Sequence, residues 1–208
     1  MSEPTRHLSA AMRDAASESV TLTPILSAAL DAFYESGYHG STVRDIAKRV
    51  GVTVPALYYH HENKEALLFA LLDGSINRLL GLCEEVRDSI SDPRSRFLAL
   101  VELLIRYTAA SRRLNYLDAE IRSLSPEHYQ AQSSKRAGVQ DVVVSAVEQG
   151  ALAGQFDVDH PRDTVRALLG MIQAIATWYR PSGPLTVDEL VERYLTLALR
   201  MVGAHDFS

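Results

Sequence analysis

The sequence predicts an all-α protein: an N-terminal three-helix unit built on a helix-turn-helix, followed by a larger helical C-terminal domain. Three observations carry that expectation. Helix formers dominate the 208 residues and β-branched runs stay short. Apolar residues recur at i, i+3 and i+4 along the longer segments. Cap signatures at Thr23-Pro24, Thr42, Thr53, Ser125-Pro126 and Thr186 stand where those stripes begin.

Composition bounds the rest. Hydrophobic residues are 47% and charged residues 23% of the chain, the balance of an ordinary globular protein long enough to bury a sizeable core. A net charge of −5 offers no global basic field, so affinity for nucleic acid must come from a local patch. The single cysteine, Cys83, excludes an internal disulfide and fits either a reducing cytoplasm or a small buried hydrophobe. The N-terminus lacks the apolar core of a signal peptide, and no apolar run approaches the roughly 18 residues of a membrane span. A cytoplasmic location is expected.

Residues 1–20 are polar, with Arg6 and Arg13 as the only cations, and read as a flexible or partly helical arm. Thr23-Pro24 starts a helix carrying Ile25, Leu26, Ala29, Leu30 and Phe33, which Gly37 and Gly40 end. Thr42 caps a short helix whose inward positions are Val43, Ile46, Ala47 and Val50. Gly51 then supplies the positive φ that a sharp turn needs. Thr53 caps a second short helix, with Pro55 in its first turn and Leu57 as its aliphatic plug. Asn63 caps a longer helix toward Ile90, with a kink expected near Gly74 or Gly81.

Asp92-Pro93 breaks the chain and starts a helix striped with Phe97, Leu100, Val101, Leu104, Ile105 and Thr108. A short helix over 116–124 follows, then a long one from Ser125-Pro126 to about Ala153, then a glycine-rich loop over 149–158. No charge occurs between Arg166 and Arg180, and aliphatic side chains lie on every face of a helix over 163–180. Such a helix must be covered on both sides, by its own domain and by a second subunit. The Thr186–Glu189 capping box opens a last helix with Leu190, Val191, Tyr194, Leu195, Ala198 and Met201 as its stripe. Two such helices from each of two chains make a four-helix interface, which predicts a homodimer. The expected divisions are an arm over 1–20, a head over 21–68 and a body over 69–203.

TVRDIA over 42–47, GV at 51–52 and LYYHHENKEALL over 57–68 together resemble the signature of the TetR family of transcriptional repressors. His61 stands where the common pattern has phenylalanine. The resemblance implies a head that binds a double-stranded DNA operator, with the second short helix in the major groove, and a body that binds an effector and dimerises. It places Thr53 and Tyr58 on phosphates, Tyr59 and His60 beside the backbone, Lys64 on a phosphate and Thr42 at the backbone. Arg44 is the candidate for reading guanine, because its fork matches O6 and N7. Val54 and Pro55, where the family often has lysine and glycine or serine, offer only apolar contacts such as a thymine methyl. In some members the arm reaches the minor groove, here through Arg6 or Arg13. The first helix lacks the basic residues many members have, which leaves its backbone amides for phosphate. Over residues 40–64, Arg44, Lys48, Arg49 and Lys64 outnumber Asp45 and Glu62, a local charge of +2 on an otherwise acidic chain.

The resemblance also implies a small apolar or amphipathic effector among the middle helices. Candidate lining residues are Phe97, Val101, Leu104, Tyr107, Leu117, Ile121, Val143, Ile172 and Trp178, each more readily explained as plain core. Arg122-Ser-Leu-Ser-Pro126 with Arg136 ten residues on, and Trp178-Tyr179-Arg180-Pro181, are similar to a subset that regulates fatty-acid and steroid degradation. Those regulators respond to acyl-CoA thioesters, whose phosphates suit Arg122, Arg136 or Arg180.

Other chemistry finds no support in the sequence. There is no G-x-S-x-G, no H-E-x-x-H and no phosphate-cradling glycine loop, so neither catalysis nor a cofactor is expected. His60 and His61 point about 100° apart on a helix and no ligand cluster completes a metal site. One further functional class stays open, a helical dimerisation or ligand-binding module that does not read DNA specifically. Tyr58 and Lys64 discriminate between the two.

Overall fold

The structure, a computed structural model, describes residues 7–18 and 20–204. Its helices in chain order are α1 (Ala10–Ser17), α2 (Pro24–Gly40), α3 (Val43–Val50), α4 (Val54–His60), α5 (Lys64–Ser89), α6 (Pro93–Ala110), α7 (Arg112–Tyr116), α8 (Pro126–Leu152), α9 (Pro161–Gln173), α10 (Ile175–Trp178) and α11 (Val187–Met201). A 3-10 helix, Leu117–Ser123, joins α7 to α8, and no strand occurs among the described residues. Two compact units divide the chain. One holds residues 20–78 and 111–135, the other 7–18, 79–110 and 136–204. α5 and α8 each run from one unit into the other.

In the first unit, α2 starts where the Thr23 hydroxyl accepts the Leu26 N–H and Pro24 fills the first turn. At Gly37 the backbone takes φ 73° and ψ 158°, so the expected stop is a kink, after which a last turn reaches Gly40. Phe33, Ile46, Leu57, Leu67, Leu68 and Leu71, all at 0% exposure, form the core beneath α2, α3, α4 and the start of α5. Each such side chain contributes about 1.5–3 kcal/mol by leaving water. Leu114, Leu117 and Leu124 join the same core, so residues 111–135, which the sequence reading assigned to the body, fall in the compact unit of the head. Polar ties explain why. Arg113 pairs with Asp31 and lies over the Tyr34 ring, Tyr34 meets Tyr116 edge-on at 5.5 Å, and His39 Nε2 stands 3.4 Å from Glu120.

The second unit is organised around α6, buried without interruption from Arg96 to Tyr107. Its charged residues are answered locally. Arg96 donates to the carbonyls of Ile90 and Ser91 and to Gln149. Glu102, 1% exposed, accepts from Arg106, which in turn donates to Asp188 in the first turn of α11. The other Glu102 oxygen accepts the backbone N–H groups of His7 at 3.1 Å and Leu8 at 3.2 Å. Those bonds, with buried Leu8 and Ala16, dock α1 on α6. The arm, expected to be flexible or partly helical, is folded over residues 7–18, held by a carboxylate 94 residues away that no local pattern announces. Gly150 lies where an added Cβ would meet the Phe156 ring at 2.3 Å, and that ring packs edge-on against Phe97.

Two further expectations are corrected. α5 runs unbroken through Gly74 and Gly81, and by length and composition it is apolar enough to cross a membrane. Leu67, Leu68, Leu71, Leu72, Cys83 and Val86 place part of that apolarity in the protein's own packing. The helix expected over 163–180 is interrupted at Ala174 and restarts as α10. Val165, Leu168, Ile172, Ile175 and Tyr179 are buried, while Ala167, Gly170, Ala174 and Trp178 on the other side lie exposed in the single chain.

Candidate nucleic-acid interface

α3 begins at Thr42, whose hydroxyl accepts the Asp45 N–H at 3.1 Å and donates to the Asp45 carboxylate at 2.6 Å. Gly51 ends it at φ 75°, ψ 26°, the left-handed conformation that closes a helix and aims the chain into a new one. Val52 N–H bonds back to Ala47 O at 3.0 Å, and the Thr53 hydroxyl accepts from Ala56 N–H at 3.3 Å to start α4. Pro55 sits in that first turn at no hydrogen-bond cost. Leu57, fully buried, is the anchor that holds α4 on the core.

With Leu57 inward, the rest of α4 faces out. Thr53, Pro55, Tyr58 and His60 are exposed, and Tyr59 is 87% exposed with His60 edge-on beside it at 5.3 Å. Val54 departs from the set: it is half-buried against the head core, so only part of it is open to a base. On α3, Thr42 and Arg44 are exposed, and Arg44 makes no ion pair or hydrogen bond among the described residues. Arg49 is committed to Glu35 at 2.7 Å, an exposed pair that lowers the Glu35 pKa through the hydrogen bond and charge of the guanidinium. A groove of about 390 Å³ between α2 and α3 is lined by Ala32, Ser36, Ser41, Asp45, Lys48 and Arg49.

Lys64, half-buried at the start of α5, donates to the Ser41 carbonyl at 2.7 Å and stands 4.5 Å over the Tyr38 ring. Burial lowers its pKa, against an opposing push from Glu120. Its ammonium thus fixes the chain just ahead of α3 and retains further N–H donors for a phosphate. His61, in the phenylalanine position, is partly buried; burial and the neighbouring His60 lower its pKa and favour the neutral ring. The row Arg44, Thr53, Pro55, Tyr58, Tyr59 and His60, backed by Lys64, combines cation, hydroxyl and aromatic groups on a convex, rigidly capped pair of helices. That combination suits a phosphate backbone and base edges.

The nine lining residues proposed from the sequence, and the three arginines set beside them, do not fall in one unit. Leu117, fully buried, and Ile121, packed on the same cluster, belong to the head core, because α7 and the 3-10 helix fold back on α2. Arg122 is exposed on the 3-10 helix. Phe97, Val101, Leu104, Tyr107, Val143 and Ile172 are buried in the second unit, and Trp178 is 46% exposed on α10. Arg180 donates to the carbonyls of Thr177 and Tyr179, closing α10. Sequence reasoning missed Glu65, which accepts from Ser125 N–H at 3.0 Å and from His128 Nδ1 at 2.8 Å. A glutamate in a first turn looks like an ordinary dipole partner, and its real partners lie about 60 residues away. Arg6 lies outside the described residues, and Arg13 donates to Leu8 O within its own docked segment.

Comparison with known proteins bears directly on this geometry. Residues 25–71 match the family described as bacterial regulatory proteins, tetR family, and residues 91–202 match a tetracyclin repressor-like C-terminal domain. The HTH-type transcriptional repressor KstR2 of Rhodococcus jostii is 29% identical over 189 residues, spanning 89% of this chain and 93% of that protein. A tetR-family regulatory protein from Rhodococcus RHA1 shares the fold with a TM-score of 0.81 at 30% identity, over 88% of this chain and 97% of its own. The ketosteroid transcriptional regulator KstR2 of Mycobacterium tuberculosis gives a TM-score of 0.77 at 26% identity, over 87% and 94%. With its capped helix-turn-helix, all-helical body and matched residues, the chain belongs to the TetR family of DNA-binding transcriptional regulators.

Proposed function

We propose that the protein is a cytoplasmic repressor that grips a near-palindromic operator as a homodimer and leaves it when a small apolar or amphipathic effector binds. The observation that carries this reading is the division of α4. Leu57 is wholly buried while Thr53, Pro55, Tyr58, Tyr59 and His60 are presented outward. In this reading Thr53 and Tyr58 bind phosphates, Arg44 reads guanine, Val54 and Pro55 meet a thymine methyl, Tyr59 and His60 flank the backbone and Lys64 holds a phosphate. Thr42 contributes through its helix-capping position and nearby backbone amides, since its hydroxyl proton is given to Asp45. The exposed small residues Ala167, Gly170 and Ala174, with Trp178 and Leu197, form the face a second copy covers.

For the effector we propose an acyl-CoA thioester. The support is the set of basic residues Arg122, Arg136 and Arg180 noted in the sequence, and the similarity to the KstR2 regulators, among them the ketosteroid transcriptional regulator of Mycobacterium tuberculosis. The test is fluorescence anisotropy with a duplex selected by the wild-type protein from a random library. Affinity should fall linearly in log–log plots against salt, and titrated acyl-CoA thioesters should release the duplex. A chain that selects no duplex removes the repressor reading. Release by no thioester removes the effector class alone.

A further inference from the structure

Lys64 and Glu65, consecutive in the first turn of α5, hold two different parts of the head. Lys64 holds the Ser41 carbonyl, one residue ahead of the Thr42 cap of α3. Glu65 accepts the Ser125 N–H and sits 2.8 and 3.1 Å from His128 Nδ1 through its two oxygens. A carboxylate only accepts, so the imidazole carries its proton on Nδ1. The same ring stacks on Phe69, one turn further along α5, with centroids 3.7 Å apart and planes 8° from parallel. A turn beyond, Asp73 takes Lys135 and, at 3.4 Å, the Gln132 amide. Glu65, Phe69 and Asp73 thus form an i, i+4 row on α5, and Ser125, His128, Gln132 and Lys135 answer it from the start of α8. This seam carries charged and polar side chains, whereas the head core is apolar. Its register is set by directional bonds, with Glu65 accepting from two N–H donors, Ser125 and, bifurcated over both oxygens, His128.

We propose that Glu65 is a positioning residue for operator binding. By gripping Ser125 and His128 it fixes the turn of α5 from which Lys64 holds the front of α3, so the placement of α8 reaches the reading helices through two adjacent side chains. This rests on the DNA-binding role proposed above. It predicts that Glu65 acts through Lys64. Full-length wild type, Glu65→Ala, Glu65→Gln, His128→Phe, Lys64→Ala and Lys64→Ala/Glu65→Ala are compared for anisotropy on the selected duplex, amide exchange over residues 41–46, and thermal midpoint. Glu65→Ala should weaken binding about tenfold and speed exchange at the front of α3. Glu65→Gln, which keeps an acceptor for Ser125, and His128→Phe, which keeps the stack on Phe69, should each lose less. The double variant should bind no more weakly than Lys64→Ala, because the two side chains form one path.

Unchanged binding and exchange in Glu65→Ala overturns the proposal. So does full additivity of the two substitutions, or an affinity loss accounted for by the drop in thermal midpoint. A wild-type chain without sequence-dependent DNA binding overturns the repressor reading instead. The exchange comparison then still decides the Glu65 linkage on the protein alone.

Discussion

Thr42 and Asp45 satisfy each other: the threonine hydroxyl accepts the aspartate N–H at 3.1 Å and gives its own proton to the aspartate carboxylate at 2.6 Å. Thr53 makes only the first of these bonds, to Ala56 N–H, and its proton makes none among the described residues. The two caps of the helix-turn-helix are therefore unequal as ligands. Thr42→Val should lower stability by about 1 kcal/mol, with operator affinity falling in step. Thr53→Val should lower affinity beyond its stability loss, and Thr53→Ser should restore it. Urea denaturation beside anisotropy separates the two; an excess affinity loss at Thr42 and not at Thr53 would reverse the assignment.

Arg44 and Arg49 differ in the same way. Arg49 spends its guanidinium on Glu35, whereas Arg44 has no partner among the described residues. Arg44→Ala should cost about 1–3 kcal/mol of discrimination at one base pair and relax the selected sequence there. Arg49→Ala should weaken all duplexes alike, and less. Binding to single-base variants of the duplex checks both, and an Arg44→Ala protein with undiminished selectivity would count against base reading by α3.

The docked α1 makes a distinct prediction about the N-terminus. Glu102 at 1% exposure joins His7, Leu8 and Arg106, and Arg106 reaches Asp188. Glu102→Ala takes one of two carboxylates from a buried guanidinium and the acceptor from two backbone N–H groups, and should destabilise the protein by about 1–3 kcal/mol. Deleting residues 1–18 should lower the thermal midpoint while leaving operator affinity within about twofold, the size of change left when no DNA contact is lost. A large affinity loss with no stability loss would return the arm to the minor groove.

Cys83 is wholly buried, and burial raises its thiol pKa from 9.0 to about 12. The thiol should react with a disulfide reagent only as fast as the protein unfolds. Because the folded state holds the proton more tightly, stability contributed by this group is intact below pH 9 and declines between 9 and 12. Urea denaturation at pH 8 and pH 10.5 should show a loss of about 2 kcal/mol that Cys83→Ala removes. Equal slopes in the two proteins would show the site to be wetter than it stands here.

How much of this was legible in the sequence depended on distance along the chain. Thr42, Gly51, Thr53 and Leu57 act on neighbours within a few residues, so the caps, the left-handed turn and the plug could be read directly. The capping box at Thr186–Glu189 was readable for the same reason. Glu102 with Leu8, Arg113 with Asp31 and Glu65 with Ser125 are 94, 82 and 60 residues apart. No periodicity encodes such pairs, and each adds to a local reading: the docking of the arm, the packing of residues 111–135 and the role of α5. The break at Ala174 escaped because Ala174-Ile175 carries no breaker residue. Val54 looked free for a base because its position suggested the groove, but the core claims part of its surface.

If Tyr58 and Lys64 serve DNA and not merely the fold, removing both side chains costs operator affinity and spares the dimer. The most direct test is Tyr58→Ala/Lys64→Ala in the full chain, with operator affinity by anisotropy and subunit mass by native mass spectrometry. The expected outcome is a dimer of unchanged subunit composition whose affinity for the selected duplex falls by more than about tenfold. An intact dimer with wild-type affinity would contradict it and leave a helical ligand-binding module that does not read DNA.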